Sequence, residues 1–308
     1  MRKTITYVII AILVALLVVG AFSGLYLLNQ PIGIQSSGKI QIVAAENFWG
    51  SLISQLGGTQ VHVFTIVTDP NADPHEFEST NKDAEAVARA SFVIVDGAGY
   101  DDWALKLISA NNIPDQKVLN VANLLGQKVG ANPHFWYNPY YVNETVHQMY
   151  TELVSLNQTD ASYFTQQYAN LNASLGVYNQ RLSEIKQQFG GTKIAATESI
   201  VVYLANATGL DLISPPAFMN AVSEGNDPPA QSIVQFQHQL QSGTVKVLVY
   251  NEQTVTPITV EMEAIATQNN VTLVAITETV IPPNALFQNW MNTELISLQN
   301  ALNSTLSG

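Results

Sequence analysis

The hydrophobic pattern opens on one long block. Residues 4–30 carry no charge and residues 5–28 are almost wholly apolar. At 1.5 Å of rise per residue, such a run crosses a hydrocarbon core of ~30 Å as a single helix. Arg2 and Lys3 precede it and only Lys39 follows closely, so the positive-inside bias holds the N-terminus in the cytoplasm and exports the rest. A cleavable signal peptide would carry a shorter apolar region ending at small residues, so the length favours a retained anchor over residues 5–28. Residues 31–37 read as a linker.

Beyond the linker, apolar runs of strand length alternate with amphipathic stretches of helical length. Strands are predicted over 40–45, 61–67, 92–95 and 118–121, with helices over 48–56, 82–90 and 101–108; Gly57 and Gly58 stop the first helix. That order predicts a parallel sheet covered by helices, with ligands bound beyond the carboxyl ends of the strands. Residues 142–189 give no strand signal and one interruption at 157–160, where Thr159 or Asp160 can cap a new helix. Tyr163, Phe164, Tyr168, Leu171, Leu175, Tyr178, Leu182 and Ile185 then recur every three or four positions, the stripe of one long helix. It is too long for a simple crossover and reads as a rigid strut between lobes, ended by Gly190 and Gly191.

The alternation resumes with strands over 193–196, 245–250 and 271–276 and helices over 200–206, 232–240, 260–268 and 286–302. A loop rich in Pro and Gly is predicted over 214–229. The fold class is therefore α/β, with two parallel-sheet lobes joined by a long backbone helix and preceded by a transmembrane helix. The segments are 1–37, anchor and linker; 38–141, first lobe; 142–189, connecting helices; and 190–308, second lobe.

Composition sharpens the setting. The chain has no cysteine, so neither a disulfide nor a lipidated cysteine is available and the apolar helix is the visible tether. Charged residues make up 12 % of the chain and the net charge is −12, with nothing basic clustered outside the anchor. That excludes nucleic acid and suits a cationic ligand. Amides and hydroxyls must then solvate much of the surface, which suits either an acidic medium or a low-charge secreted glycoprotein. Asn-x-Ser/Thr acceptor sites stand at Asn143, Asn157, Asn172, Asn206, Asn270 and Asn303, consistent with exported, glycosylated surface loops.

Two of the five histidines occupy nearly the same phrase: Asp73-Pro74-His75-Glu76-Phe77 and Asn132-Pro133-His134-Phe135-Trp136. Each follows a strand and precedes a helix. Proline fixes the backbone before the imidazole and the aromatic two residues later packs the loop, so both rings aim at the interlobe space, where a metal would join them. The second lobe offers Thr197-Glu198 and Thr277-Glu278 at two strand exits. Two carboxylates placed alike repel unless a cation lies between them, which groups Glu198 and Glu278 with His75 and His134. His62, on an alternate strand face, and His147 and His238, on polar helix faces, are read as surface histidines.

In order along the chain come Asn47-Phe48-Trp49-Gly50, Gly57-Gly58, the phrase at His75, Gly97 to Trp103, the phrase at His134, Ala196-Thr197-Glu198 with Tyr203, Asn226-Asp227-Pro228 and Thr277-Glu278-Thr279. Over residues 40–303 this order resembles the metal-binding solute receptors of ABC importers for zinc and manganese. The resemblance implies two α/β lobes on a backbone helix, one metal ligand from each of His75, His134, Glu198 and Glu278, an ABC permease as partner, and no enzymatic activity. It further implies a monomer on the extracytoplasmic side of the membrane whose cargo is manganese, zinc or iron.

Two features depart from that family. Its fourth ligand is often Asp, one methylene shorter than Glu278, and the His-rich loop of zinc-specific members is missing, since no His lies between His75 and His134. Two nitrogens with up to four carboxylate oxygens form a harder site than three imidazoles and tilt selectivity toward manganese or ferrous iron. The competing readings are an extracellular metallohydrolase, the same scaffold holding a chelated metal with Trp49, Phe135 and Trp136 near the cleft, and adhesion. No His-Glu-x-x-His helix is present for the first.

Overall fold

The computed structural model describes residues 38–71, 74 and 77–305, so the predicted anchor over 5–28 and His75 lie outside the described residues. Among the described residues no helix is long and apolar enough to cross a membrane. Residues from Lys39 onward form one compact unit.

The first sheet holds β1 (Ile40–Glu46), β2 (Val61–Val67), β3 (Phe92–Val95) and β4 (Lys117–Asn120) in the order β2-β1-β3-β4. All its pairings are parallel. Its helices are α1 (Asn47–Gly57), α2 (Asn81–Arg89), α3 (Asp102–Asn111) and the single turn α4 (Val121–Leu124). Two long helices follow, α5 (Pro139–Leu156) and α6 (Ala161–Phe189). The second lobe brings β5 (Lys193–Ala196), α7 (Val202–Thr208), β6 (Asp211–Leu212), α8 (Pro216–Ser223), α9 (Ala230–Gln241), β7 (Val247–Asn251), α10 (Pro257–Gln268), β8 (Thr272–Ile276) and α11 (Phe287–Ser304). Its strand order, β6-β5-β7-β8, repeats that of the first sheet, again in parallel.

Alternation along the central strands explains the layers. In β1, Ile42 and Ala44 face one core while Val43 and Ala45 face another; in β7, Val247 and Val249 are divided in the same way from Leu248. Strands buried on both faces read as continuous apolar runs, as parallel strands must. The inner faces of both sheets share a single core with α1, α5, α6 and α11, while each outer face has its own cluster. The 29 residues of α6 span about 43 Å, and Phe164, Leu171, Leu175, Tyr178, Leu182, Ile185 and Phe189 bury one stripe along it. Tyr163 and Tyr168, assigned to the same stripe from sequence, are partly buried against that core.

Two sequence-based expectations fail. Part of the loop predicted over 214–229 is helical: Pro216 is the first residue of α8, where a missing N–H costs nothing, and Phe218, Met219 and Val222 are buried beneath it. The two-residue strand β6 is too short to leave a periodic signal. At α6 the chain does turn at Asp160, but that carboxylate accepts a bond from Asn157 Nδ2 at 2.7 Å and does not cap the helix.

Candidate metal centre

The carboxyl ends of both sheets converge on a buried cluster. Glu198 follows β5 and Glu278 follows β8, while His134 arrives from the first lobe on the turn before a short 3-10 segment, Phe135–Tyr137. All three side chains are fully buried. One ligand atom from each lies within 4.8 Å of the others, and His134 Nε2 is 3.7 Å from Glu278 Oε1. Donors bound at ~2.1 Å around a tetrahedral ion stand about 3.4 Å apart, so a small contraction would close this set on a metal. Three of the four sequence-predicted ligands are thus brought together from both lobes.

The tautomer of His134 follows from its neighbour. Asn132 Nδ2 donates to the Ser199 carbonyl at 2.7 Å, which turns Oδ1 toward His134. Oδ1 then accepts from His134 Nδ1 at 2.7 Å and from the His134 backbone N–H at 3.1 Å. The proton therefore sits on Nδ1, and Nε2 presents its lone pair to the carboxylates, the form that binds metal. Tyr203 Oη closes the turn from the second lobe by donating to the Asn132 carbonyl at 2.9 Å.

The carboxylates are held by neutral donors. Asn251, the last residue of β7, donates through Nδ2 to Glu198 Oε1 at 2.7 Å and to Glu278 Oε1 at 2.8 Å. Tyr100 Oη reaches across the cleft to Glu278 Oε2 at 2.8 Å. Gln253 Oε1 accepts the backbone N–H groups of Glu278 and Thr279 at 2.8 and 3.0 Å and so fixes the loop that carries Glu278. A cleft of 1460 Å³ lies over the cluster, lined by Tyr100, Asn132, Ser199 and Gln253 among others and, within the described residues, by no Lys or Arg. Adjacent buried carboxylates facing an imidazole lone pair fit a divalent ion.

Behind Tyr100 lies a layer of acid. Asp101 accepts the Asp96 and Gly97 N–H groups at 2.6 and 2.8 Å, a turn that needs Gly97 at φ +84°, where a Cβ would strike the Asn120 side chain. Asp96 accepts from Trp49 Nε1 at 3.0 Å. Burial, and then the charges of Asp101 and Asp96, push the Glu46 carboxyl well above its ordinary range, and burial followed by Asp101 does the same to Asp96. These groups are protonated where exposed carboxylates are ionised. Burial, followed by the Glu278 charge, likewise raises the Tyr100 hydroxyl and keeps it a donor.

The aromatics expected near the cleft do not line it. Trp49, Phe135 and Trp136 are fully buried, with Trp136 stacked on Phe48 at 3.9 Å and packed edge-on to His134 at 5.3 Å between ring centroids. Trp136 packs against the imidazole, and none of the three offers a platform for a chelate. His62, His147 and His238 are exposed and outside the cluster, as read from sequence. Sequence reasoning missed Tyr100, Asn132, Asn251 and Gln253 as site residues. The one signal for Asn251 was a strongly apolar strand ending on an amide at a sheet's carboxyl edge.

Residues 42–301 match the sequence profile of the family described as zinc-uptake complex component A, periplasmic. The manganese-binding lipoprotein MntA of Halalkalibacterium halodurans is 23 % identical over 226 residues, covering 68 % of this chain and 70 % of that protein. Among solved structures, the periplasmic zinc-binding protein TroA of Treponema pallidum superposes with a TM-score of 0.73 at 14 % identity, over 86 % of this chain and 99 % of that one. The solute-binding protein FpvC of Pseudomonas aeruginosa, in complex with Mn2+, gives 0.72 at 18 % identity, over 87 % of this chain and 99 % of that one.

Proposed function

The chain belongs to the family of periplasmic zinc-uptake complex component A, and from that premise we propose that it captures one divalent transition metal at His134, Glu198 and Glu278, with His75 as fourth ligand, and delivers it to an ABC permease. It is a solute-binding protein and not an enzyme. The observation that carries the ligand set is the convergence of one imidazole and two carboxylates, all with no exposure, from opposite lobes. Four protein ligands would close the coordination sphere and leave no open position of the kind a catalytic zinc keeps. Because the chain lacks cysteine, the reading includes the apolar helix over 5–28 as its tether, with the lobes on the extracytoplasmic side as a monomer.

The test is calorimetry on metal-free protein titrated with Mn2+, Fe2+ and Zn2+, together with elemental analysis of protein purified without added metal. One metal per chain is expected, and His134→Ala or His75→Ala should weaken binding at least tenfold by removing a nitrogen donor. Unchanged affinity in both variants would overturn the ligand set.

A further inference from the structure

The phrase Asn47-Phe48-Trp49-Gly50 holds no candidate ligand, yet its first residue reaches the loop that carries one. Asn47 opens α1 and is buried. Its Oδ1 accepts the Val280 N–H at 2.8 Å and its Nδ2 donates to the Val280 carbonyl at 3.1 Å, so the side-chain amide pairs with that residue as a neighbouring strand would. Helix α1 lies close against β2, since a Cβ at Gly50 would strike the Thr65 side chain. The amide is thus presented from a fixed base. Val280 is fully buried and stands two residues beyond Glu278, where the chain has left β8 and its backbone groups still need partners. Four N–H groups in succession go to side chains there: Thr277 to Glu294, Glu278 and Thr279 to Gln253, and Val280 to Asn47. Glu294 and Gln253 belong to the second lobe, as Glu278 does. Asn47 belongs to the first.

Resting on the proposed metal site, we propose that Asn47 is a positioning residue for Glu278: by pairing with both backbone groups of Val280 it lets the first lobe fix a carboxylate that the second lobe supplies, so that metal affinity is set in part across the seam between the lobes. The first lobe also supplies His134, whose Nε2 is 3.7 Å from Glu278 Oε1. The clamp therefore ties the carboxylate to the frame that holds the imidazole. Tyr100, from the same lobe, holds the carboxylate itself through Oε2 at 2.8 Å, while Asn47 holds the backbone behind it. Truncating Asn47 would leave the Val280 N–H and carbonyl buried without this partner, which is costly enough for the chain to shift and recover one. A shift there moves the C-terminal side of Glu278, and ligand sets need to be held to within ~0.5 Å.

Titration with Zn2+ and Mn2+ tests this on the full chain. Asn47→Ala should weaken binding of both ions at least tenfold, the scale on which partners of metal ligands act. Ser51, one turn further along α1, supplies the control: its Oγ accepts the Phe287 N–H at 2.9 Å and donates to the Ala285 carbonyl at 3.3 Å. Ser51→Ala thus strips the same kinds of backbone partner from the second lobe, but well beyond Glu278. It should lower the melting temperature of the metal-free protein as Asn47→Ala does, and leave metal affinity within about twofold of wild type. Equal losses of affinity in the two variants would reduce Asn47 to a structural bond and overturn the inference, as would wild-type affinity in folded Asn47→Ala. A measurement on the wild type decides it even where Asn47→Ala fails to fold. By linkage, a contact that raises metal affinity tenfold is itself strengthened tenfold by metal, so hydrogen exchange at the Val280 amide should slow at least tenfold on loading with Zn2+. Unchanged exchange there would overturn the inference. In each of these cases the wild type still binds metal and the proposed function stands, whereas absence of Zn2+ and Mn2+ binding to the wild type would overturn that reading and this one together.

Discussion

His134 illustrates how far a candidate ligand depends on residues outside the candidate set. Its proton is placed on Nδ1 by Asn132 Oδ1 at 2.7 Å, and Asn132 is itself oriented by the Ser199 carbonyl across the cleft. Asn132→Ala should therefore lower metal affinity ~10-fold to ~100-fold with little change in fold, measured by competitive titration beside His134→Ala. An affinity equal to wild type would show that the imidazole is positioned by Trp136 packing alone. His134, Glu198 and Glu278 were legible in sequence because the chemistry of each is rare in this weakly charged chain and because each follows a recognisable strand. Asn132, Asn251 and Tyr100 were not, since amides and hydroxyls are abundant here and only the fold separates those that orient a ligand from those that solvate the surface.

At the scale of elements, α11 carries a buried acid that ties the end of the first lobe to the second sheet. Glu294 Oε1 accepts the Thr277 N–H at 2.9 Å and the Thr277 hydroxyl at 3.1 Å, beside Glu278. Its Oε2 lies 2.6 Å from Tyr137 Oη, which is also 2.8 Å from the Thr277 carbonyl. The single proton of Tyr137 cannot serve both acceptors, so the network is complete only when Glu294 carries a proton and donates to Tyr137. Burial pushes the Glu294 carboxyl in the same direction, to about 7, against the hydrogen bonds from Tyr137 and Thr277 that favour its charged form.

An unfolded Glu ionises near pH ~4.3, so between there and about 7 the folded chain binds the extra proton and this group's contribution to stability falls as pH rises. Glu294→Gln, which mimics the protonated acid, should flatten that dependence and be as stable as wild type or more so above pH ~7, by up to ~3 kcal/mol. Denaturant melts of metal-free protein across that range test it, and an equal pH slope in wild type and variant would show that Glu294 is ionised throughout. The long helices and most strands could be read from period and punctuation. Helix α8 could not, because Pro215 and Pro216 signal a loop in sequence and an N1 start once Phe218 and Phe236 pack together at 4.8 Å.

At the scale of the molecule, the two lobes share one apolar core along α6, and the candidate ligands come from both lobes. Binding then stabilises the whole unit by mass action. At a metal concentration 100 times Kd the gain is ~2.7 kcal/mol, a rise in melting temperature on the order of 5 °C. The effect of pH should have opposite signs with and without metal. Without metal, the raised carboxyls of Glu46, Asp96 and Glu294 make the protein more stable as pH falls from about 7 toward ~4. With metal, protons compete for the imidazoles, and affinity should fall steeply below pH ~6, where free imidazole protonates, with the carboxylate ligands following near pH ~4. The metal-induced rise in melting temperature should therefore shrink continuously from pH 7 to pH 4 while the metal-free baseline climbs. Thermal melts at fixed Zn2+ or Mn2+ across that range test both slopes at once. A metal-induced rise that stays constant down to pH 4 would show that no imidazole lies in the coordination sphere, and the ligand set built on His75 and His134 would fall.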